Sequence, residues 1–147
     1  MAQEIKTKKW DGEIPVHYLY TYGIAGEKFF REIKDKGTFV ATKCDKCNVT
    51  YVPPRIYCER CFAELKDYKD VGTKGTIETY TICSESLDGK RLPKPEIIAC
   101  IRIDGTDGGL IHRLSEPSKI GTKVEAVFAE PSKRTGSIND ILYFRPL

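Results

Sequence analysis

The chain has 147 residues, 40% of them hydrophobic and 31% charged, which suits a folded protein of one medium domain or two small ones and excludes a disordered or fibrous chain. Its net charge of +3, from 24 basic and 21 acidic side chains, is too mild for the concentrated basic face of a nucleic-acid protein. The longest apolar run, residues 97–101, is far short of the roughly 20 residues that span a bilayer, so no membrane association is expected.

In chain order, the first stretch, 1–42, is polar at its start, which does not read as a signal peptide, and then becomes aromatic. Cytoplasmic location is expected, where paired cysteines more often hold metal than form disulfides. Ala25, Phe29 and Ile33 recur every four residues with Phe30 beside them, predicting a helix over residues 24–36. Gly37 after Lys34 and Lys36 is a helix stop. Trp10, Tyr18, Tyr20, Tyr22, Phe29 and Phe30 are more aromatic surface than one short helix can bury under itself. Two readings stand: they pack on the rest of the protein, or they dock on a partner.

Residues 43–66 hold Cys44-x-x-Cys47 and Cys58-x-x-Cys61 with ten residues between the pairs. Two thiolates separated by two residues can point at one ion from a single turn, and the loop brings the second pair to the same ion. Four soft sulfur ligands favour tetrahedral Zn²⁺, with iron the alternative. Such a site is closed: with no open position, its ion holds the fold and does no chemistry.

Residues 67–147 read as all β. Strands are predicted at 75–83, 97–103, 110–114, 124–128 and 141–144, with Gly and Pro punctuating the gaps. Five short strands suit a small closed barrel; the OB-fold is the commonest such barrel, and an SH3-like barrel fits the pattern too. If the first hairpin pairs Ile82 with Ile101, Cys83 faces Cys100 on one sheet face, which leaves a disulfide open beside the plainer reading of two small strand residues. No phosphate loop, nucleophile elbow or metalloprotease helix is present, and His112 shares its strand face with Leu110 and Leu114. No enzyme is expected on these residues.

The order of parts (aromatic helix, Cys44-x-x-Cys47, Pro53-Pro54-Arg55, Cys58-x-x-Cys61, barrel, then Tyr143-Phe144-Arg145-Pro146) closely resembles the zinc-ribbon/OB-fold acyl-CoA-associated proteins. That family is long catalogued as a domain of unknown function and is found alongside thiolases in archaea and bacteria. The resemblance covers nearly the whole chain, and the segment between the cysteine pairs is its specific part. It implies an archaeal member that is mainly β with an N-terminal helix: a rubredoxin-like zinc ribbon followed by a five-stranded OB-fold barrel. It further implies one structural Zn²⁺ on Cys44, Cys47, Cys58 and Cys61, and a non-catalytic accessory subunit of mevalonate or lipid metabolism. Its implied partners are acyl-CoA and a thiolase-fold enzyme, with hydroxymethylglutaryl-CoA synthase as a further one. The alternative, from the fold alone, is a nucleic-acid-binding ribbon/OB protein.

For acyl-CoA phosphates the candidates are Arg55, stiffened by two preceding prolines, the basic loop of Lys90, Arg91 and Lys94, and Arg102. Arg113, Lys133 and Arg134 are weaker candidates of the same kind. The N-terminal segment and the ribbon together are expected to form the docking face.

Overall fold

Helix formation begins where the tyrosine-rich stretch meets a glycine. In the computed structural model, which describes residues 8–147, helix α1 spans Gly23–Lys36, and the Thr21 hydroxyl accepts the Gly23 amide at 3.1 Å. Residues 1–7 of the expected N-terminal segment lie outside the described residues. The helix ends at Gly37, whose φ of 68° is left-handed and whose amide donates to the Glu32 and Ile33 carbonyls. Only glycine adopts that conformation cheaply.

Helix α1 buries Ala25, Phe29 and Ile33, as the spacing predicts. Its rings divide the two readings of the N-terminal aromatics. Phe29 is 2% exposed and Phe30 packs against the same core, so both belong to the fold. Trp10, Tyr18, Tyr20 and Tyr22 stay exposed. The difference is one of neighbours: β1 (Phe39–Cys44) passes beneath the helix and stacks Phe39 on Phe29, ring centroids 6.0 Å apart.

Strand β1 carries β2 (Val49–Tyr51) on one side and β3 (Tyr68–Gly72) on the other. The sequence patterns mark none of these three, since each is short or lies among charges. Phe39, Val40 and Ala41 enter the main core, while Cys44 belongs to the second cluster, so β1 runs through position 42 and joins the two parts.

The second sheet comprises β4 (Lys74–Glu85), β5 (Arg91–Ile103), β6 (Gly109–Arg113), β7 (Lys123–Phe128) and β8 (Ile141–Pro146), in the order β6-β5-β4-β7-β8. A parallel bridge from Leu114 to Phe144 brings its two ends together, closing the five-stranded OB-fold barrel. Ile77, Ile101, Ile103, Val124, Ile141 and Phe144 fill it. Phe39 reaches in from β1, with its ring centroid 6.1 Å from that of Phe144.

The first hairpin departs from expectation. Ile82 pairs with Ile97, Thr79 with Cys100 and Cys83 with Glu96, so Cys83 and Cys100 are not cross-strand neighbours and both are free thiols. Nor are Arg91 and Lys94 loop residues; both lie in β5. The turn is the short Ser86–Lys90 closure, where the Ser86 amide bonds the Lys90 carbonyl at 2.9 Å. Pro93 and Pro95 are accommodated on a stretch of β5 that has no second neighbour, where a missing amide costs little.

The last loop clamps the helix to the barrel. Arg134 donates from Nε to the Ala129 carbonyl at 2.7 Å and from Nη1 to the Lys34 carbonyl at the C-terminus of α1. A cation there complements the helix dipole. Arg134 is therefore a fastening residue.

Buried Asp140 closes the same loop, accepting the amides of Thr135 at 2.9 Å, Gly136 at 2.7 Å and Ser137 at 3.2 Å. Burial alone pushes its carboxyl up, but the backbone donors of residues 135–137 with the Thr135 hydroxyl outweigh burial and hold it below the ordinary 3.8. The stabilisation is thus complete above about pH 4 and is lost as pH falls through the depressed folded value. Asp140→Ala should lower the unfolding free energy at pH 7 by about 2–3 kcal/mol in urea titrations, and Asp140→Asn should flatten the acid limb of stability. Identical acid limbs in parent and Asp140→Asn would show that the loop does not depend on this charge.

No helix of the described residues is long and apolar enough to cross a membrane.

Candidate metal centre

Both cysteine pairs are built by the same local turn. Each pair is followed by a residue with positive φ, Asn48 at 51° and Phe62 at 58°, which reverses the chain after the second cysteine. Asparagine tolerates this conformation; a bulky phenylalanine rarely adopts it. In the second knuckle the Phe62 amide returns to the Cys58 carbonyl and the Cys58 amide to the Ala63 carbonyl, both at 2.9 Å. The first pair sits where β1 ends and β2 begins, since Cys44 pairs with Val49 across that turn.

The four sulfurs converge. All lie within 4.8 Å of one another, with Cys44 and Cys61 Sγ at 3.6 Å. Zinc–sulfur bonds of about 2.3 Å in a tetrahedron set sulfur–sulfur edges of roughly 3.8 Å, so this donor set fits a single tetrahedral zinc. Hydrogen bonding with the Cys61 sulfur pushes the Cys47 thiol up to about 12. Cys44 and Cys58 are buried and Cys47 and Cys61 half-buried. With four protein ligands the ion would have no open position and would supply structure alone. The chain carries one structural zinc, which these four thiolates would hold.

Sequence reasoning missed the shell around the sulfurs. Tyr51 is buried, with its hydroxyl 3.3 Å from Cys58 Sγ. Donation from that hydroxyl brings the Cys58 thiol down to about 6, and the contact pushes Tyr51 itself up to about 12. Over the Tyr51 ring lies the Arg55 guanidinium, 4.9 Å from the centroid, and Arg55 also pairs with Glu59. Its backbone is pinned by Thr42 on β1, whose hydroxyl accepts the Arg55 amide at 2.9 Å and donates to the Arg55 carbonyl at 3.1 Å. No spacing rule marks Tyr51, because its partner is defined only once β2 has folded back beside the second knuckle.

The joint between ribbon and barrel is made by backbone groups and one carboxylate. The Asp107 amide donates to the Thr50 carbonyl at 2.9 Å, and the Thr50 amide donates to the Asp107 carboxylate at 2.8 Å. Gly108 follows against Val52.

The five candidate cations do not form one cluster. Arg55 stays with Tyr51 and Glu59 at the ribbon. Lys90 pairs with Asp88 in the hairpin turn at 2.8 Å, and Arg91 opposes Glu85. Lys94 rims a hollow of about 640 Å³ with Ile82, Pro95, Ile97, Arg113 and Leu114. Arg102 pairs with Glu78, eight strand residues from Lys94, or about 26 Å. His112 is half-buried against Phe144, and burial pushes its imidazole down.

Comparison with known proteins accords with this anatomy. Residues 31–66 match the family model described as the ChsH2 rubredoxin-like zinc ribbon domain, and residues 68–129 match the ChsH2 C-terminal OB-fold domain. A DUF35 domain-containing scaffold protein of Methanocaldococcus jannaschii is 28% identical over 129 residues, 80% of this chain and 88% of that protein. A crystal structure of a DUF35 family protein of unknown function from Sulfolobus solfataricus is 30% identical, covers 84% of each chain and superposes with a TM-score of 0.66. A structure described as an Ltp2–ChsH2(DUF35) aldolase shares the fold at 19% identity and a TM-score of 0.57, over 82% of this chain and 93% of that one. With its closed four-cysteine ribbon joined to an OB-fold barrel, this chain belongs to the DUF35 family.

Proposed function

We propose that this protein is a non-catalytic accessory subunit that scaffolds a thiolase-type enzyme of acyl-CoA metabolism, in a mevalonate or lipid pathway, and contributes part of an acyl-CoA site. The observation that carries this reading is a closed metal ribbon, rigidly joined to the barrel, that presents aromatic side chains to solvent. Phe62, in its left-handed turn, is 79% exposed and Tyr57 is 58% exposed. The start of α1 lies beside them in the fold: a Cβ on Gly23 would come 4.0 Å from Ile56, and Ile24 is exposed next to it. Exposed aromatics on a rigid platform suit a surface that is wet when free and dry when bound. The scaffold description of the archaeal relative supports the reading, as does the pairing of this fold with an aldolase in the more distant structure.

Within this reading the chain divides into an N-terminal helical segment 1–42, a ribbon 43–66 and a barrel 67–147, the first two meeting the enzyme. The acyl-CoA part-site falls at the 640 Å³ hollow, whose apolar lining suits a pantetheine arm and whose rim offers Lys94 to phosphate, with Arg91 and Lys90 further along the hairpin. An enclosed site for so long a ligand needs the enzyme's surface as its other wall.

The test is docking. Deleting residues 1–36 is too blunt, because it removes Phe29 and Ile33 from the core. Phe62→Glu with Tyr57→Glu changes only exposed side chains. The double variant should keep its zinc and fold while its affinity for a thiolase-type enzyme co-purified from the native cells falls by about 30-fold or more. Undiminished affinity would remove the ribbon from the interface. Turnover of acetoacetyl-CoA by the isolated chain would make it an enzyme, and steeply salt-dependent retention of oligonucleotides would favour the nucleic-acid alternative.

A further inference from the structure

Residues 14–20 carry the pattern of a strand without a ladder. Ile14, Val16, Tyr18 and Tyr20 stand at every second position, with Pro15, His17 and Leu19 between them, a run rich in β-branched and aromatic residues. Yet residues 8–22 hold no strand in the fold. Tyr18 is 67% exposed, Leu19 fully so, and the backbone contact the segment makes is local, from the Val16 amide to the Ile14 carbonyl at 2.8 Å. Such a segment has the side chains of a paired strand and lacks the neighbour that would take its amides and carbonyls.

The same chain leaves one strand edge open. Up to Ile77, β4 is bonded on both sides, the Ile77 amide and carbonyl meeting Thr122 and Gly121. From Thr79 to Glu85 it pairs with β5 alone. On β5 the Ile97 carbonyl turns away from β4 to accept the Leu114 amide at 2.9 Å, so the even-numbered residues face β4. Their partners Thr79, Thr81 and Cys83 direct their backbone groups into the ladder, which leaves those of Tyr80, Ile82 and Ser84 on the open edge. Residues 79–84 contain no charge and no proline, two of the devices that ordinarily protect an edge, and the register irregularities lie at its ends, between Ile77 and Thr79 and between Cys83 and Glu85. The other edge of this two-stranded arm carries Pro95, which has no amide, on the side of the Ile97 carbonyl. One edge is blunted and the other is available.

We propose that residues 14–20 of one copy add as a strand to the Tyr80–Ser84 edge of a second copy, and that mutual exchange of the two segments closes a two-fold dimer. Seven residues of strap meet the seven residues from Thr79 to Glu85, about 23 Å of strand each. Val16, Tyr18 and Tyr20 then share a face with Tyr80 and Ile82 and cover them. In the fold the chain's own strap does not pair with this edge. Gly75 is level with Ile103, at the start of the loop that grips the ribbon, and Tyr80 lies about 16 Å further along β4. The link from Tyr20 to Gly23, which sits beside the ribbon at Ile56, spans at most about 10 Å. This pairing goes beyond the enzyme-docking role: it takes residues 14–20 of the N-terminal segment and the Ile82 side of the arm to a second copy, and leaves Phe62 and Tyr57 of the ribbon to the enzyme.

Sedimentation velocity and hydrogen exchange on the zinc-loaded full chain, with no enzyme present, test it. The parent should sediment as a dimer with slowed exchange at residues 16–20. Deletion of residues 1–20 and the edge variant Ile82→Pro should each halve the mass while keeping zinc and the parent's circular dichroism. Mixing these two monomers should restore a 1:1 complex, because one keeps the edge and the other the strap. If Ile82→Pro does not fold, Ser84→Pro removes an amide from the same edge at an exposed position. A monomeric parent, a truncated chain that still dimerises, or two monomeric variants that do not combine would each overturn the proposal. Because the assay holds no enzyme, such a result leaves the docking reading intact.

Discussion

Cys58→Ala is expected to leave the chain without tightly held zinc and with residues 43–66 unfolded, while the barrel keeps its strands. Cys58 is fully buried among Cys44, Val49, Tyr51 and Leu65, a cluster too small to hold itself together by apolar burial. Metal ligation and ribbon folding are therefore one equilibrium. Three remaining thiolates complete a tetrahedron only with water in place of the lost sulfur, so the loss should exceed the roughly 10–100-fold that removal of an outer-sphere partner causes. Tyr51→Phe, which deletes only the hydroxyl beside Cys58, should fall within that smaller range. Zinc content after competition with a chelator, read alongside proteolysis within residues 43–66, separates the two variants. If Cys58→Ala retained stoichiometric zinc against the chelator, or if the native site held iron with a reversible redox couple, the structural zinc assignment would fail.

Gly108→Ala should destabilise the whole chain by about 3 kcal/mol and loosen the ribbon from the barrel. A Cβ at this position would come 2.3 Å from the Val52 carbonyl oxygen and 2.6 Å from the Val52 amide nitrogen. Both are backbone atoms, so no rotamer change relieves the contact. The backbone at Gly108 is not left-handed, which makes the penalty one of contact and not of conformation. Moving β2 away to make room would also break the paired bonds between Thr50 and Asp107. Gly12→Ala is the control, because its Cβ would meet nothing within 4 Å. Urea midpoints for the two variants measure the difference, and equal midpoints would mean that ribbon and barrel are not held in register at this joint.

What can be read along one dimension was legible without the fold. The spacing of Ala25, Phe29 and Ile33 marked the helix because those residues share one face whatever they pack on. The paired cysteines marked the metal centre because a Cys-x-x-Cys turn is local chemistry. The β-branched run at 75–83, the alternation of Ile97, Ala99, Ile101 and Ile103, and the Gly and Pro between segments marked the barrel strands. Tertiary structure alone decided the rest. Strand pattern leaves sliding free, so the pairing of Ile82 with Ile97 was set by the Ser86–Lys90 turn and by the irregularities in β4, and with it the separation of Cys83 from Cys100. β1 became the shared strand because Phe39 found Phe29, Phe128 and Phe144 from distant parts of the chain. Charge type told nothing of destination: Arg134 went to a helix terminus, Arg55 to a tyrosine above a zinc ligand and Arg102 to Glu78. A guanidinium is satisfied by whichever carbonyl, carboxylate or ring the folded chain brings to it, and only long-range packing determines which one arrives.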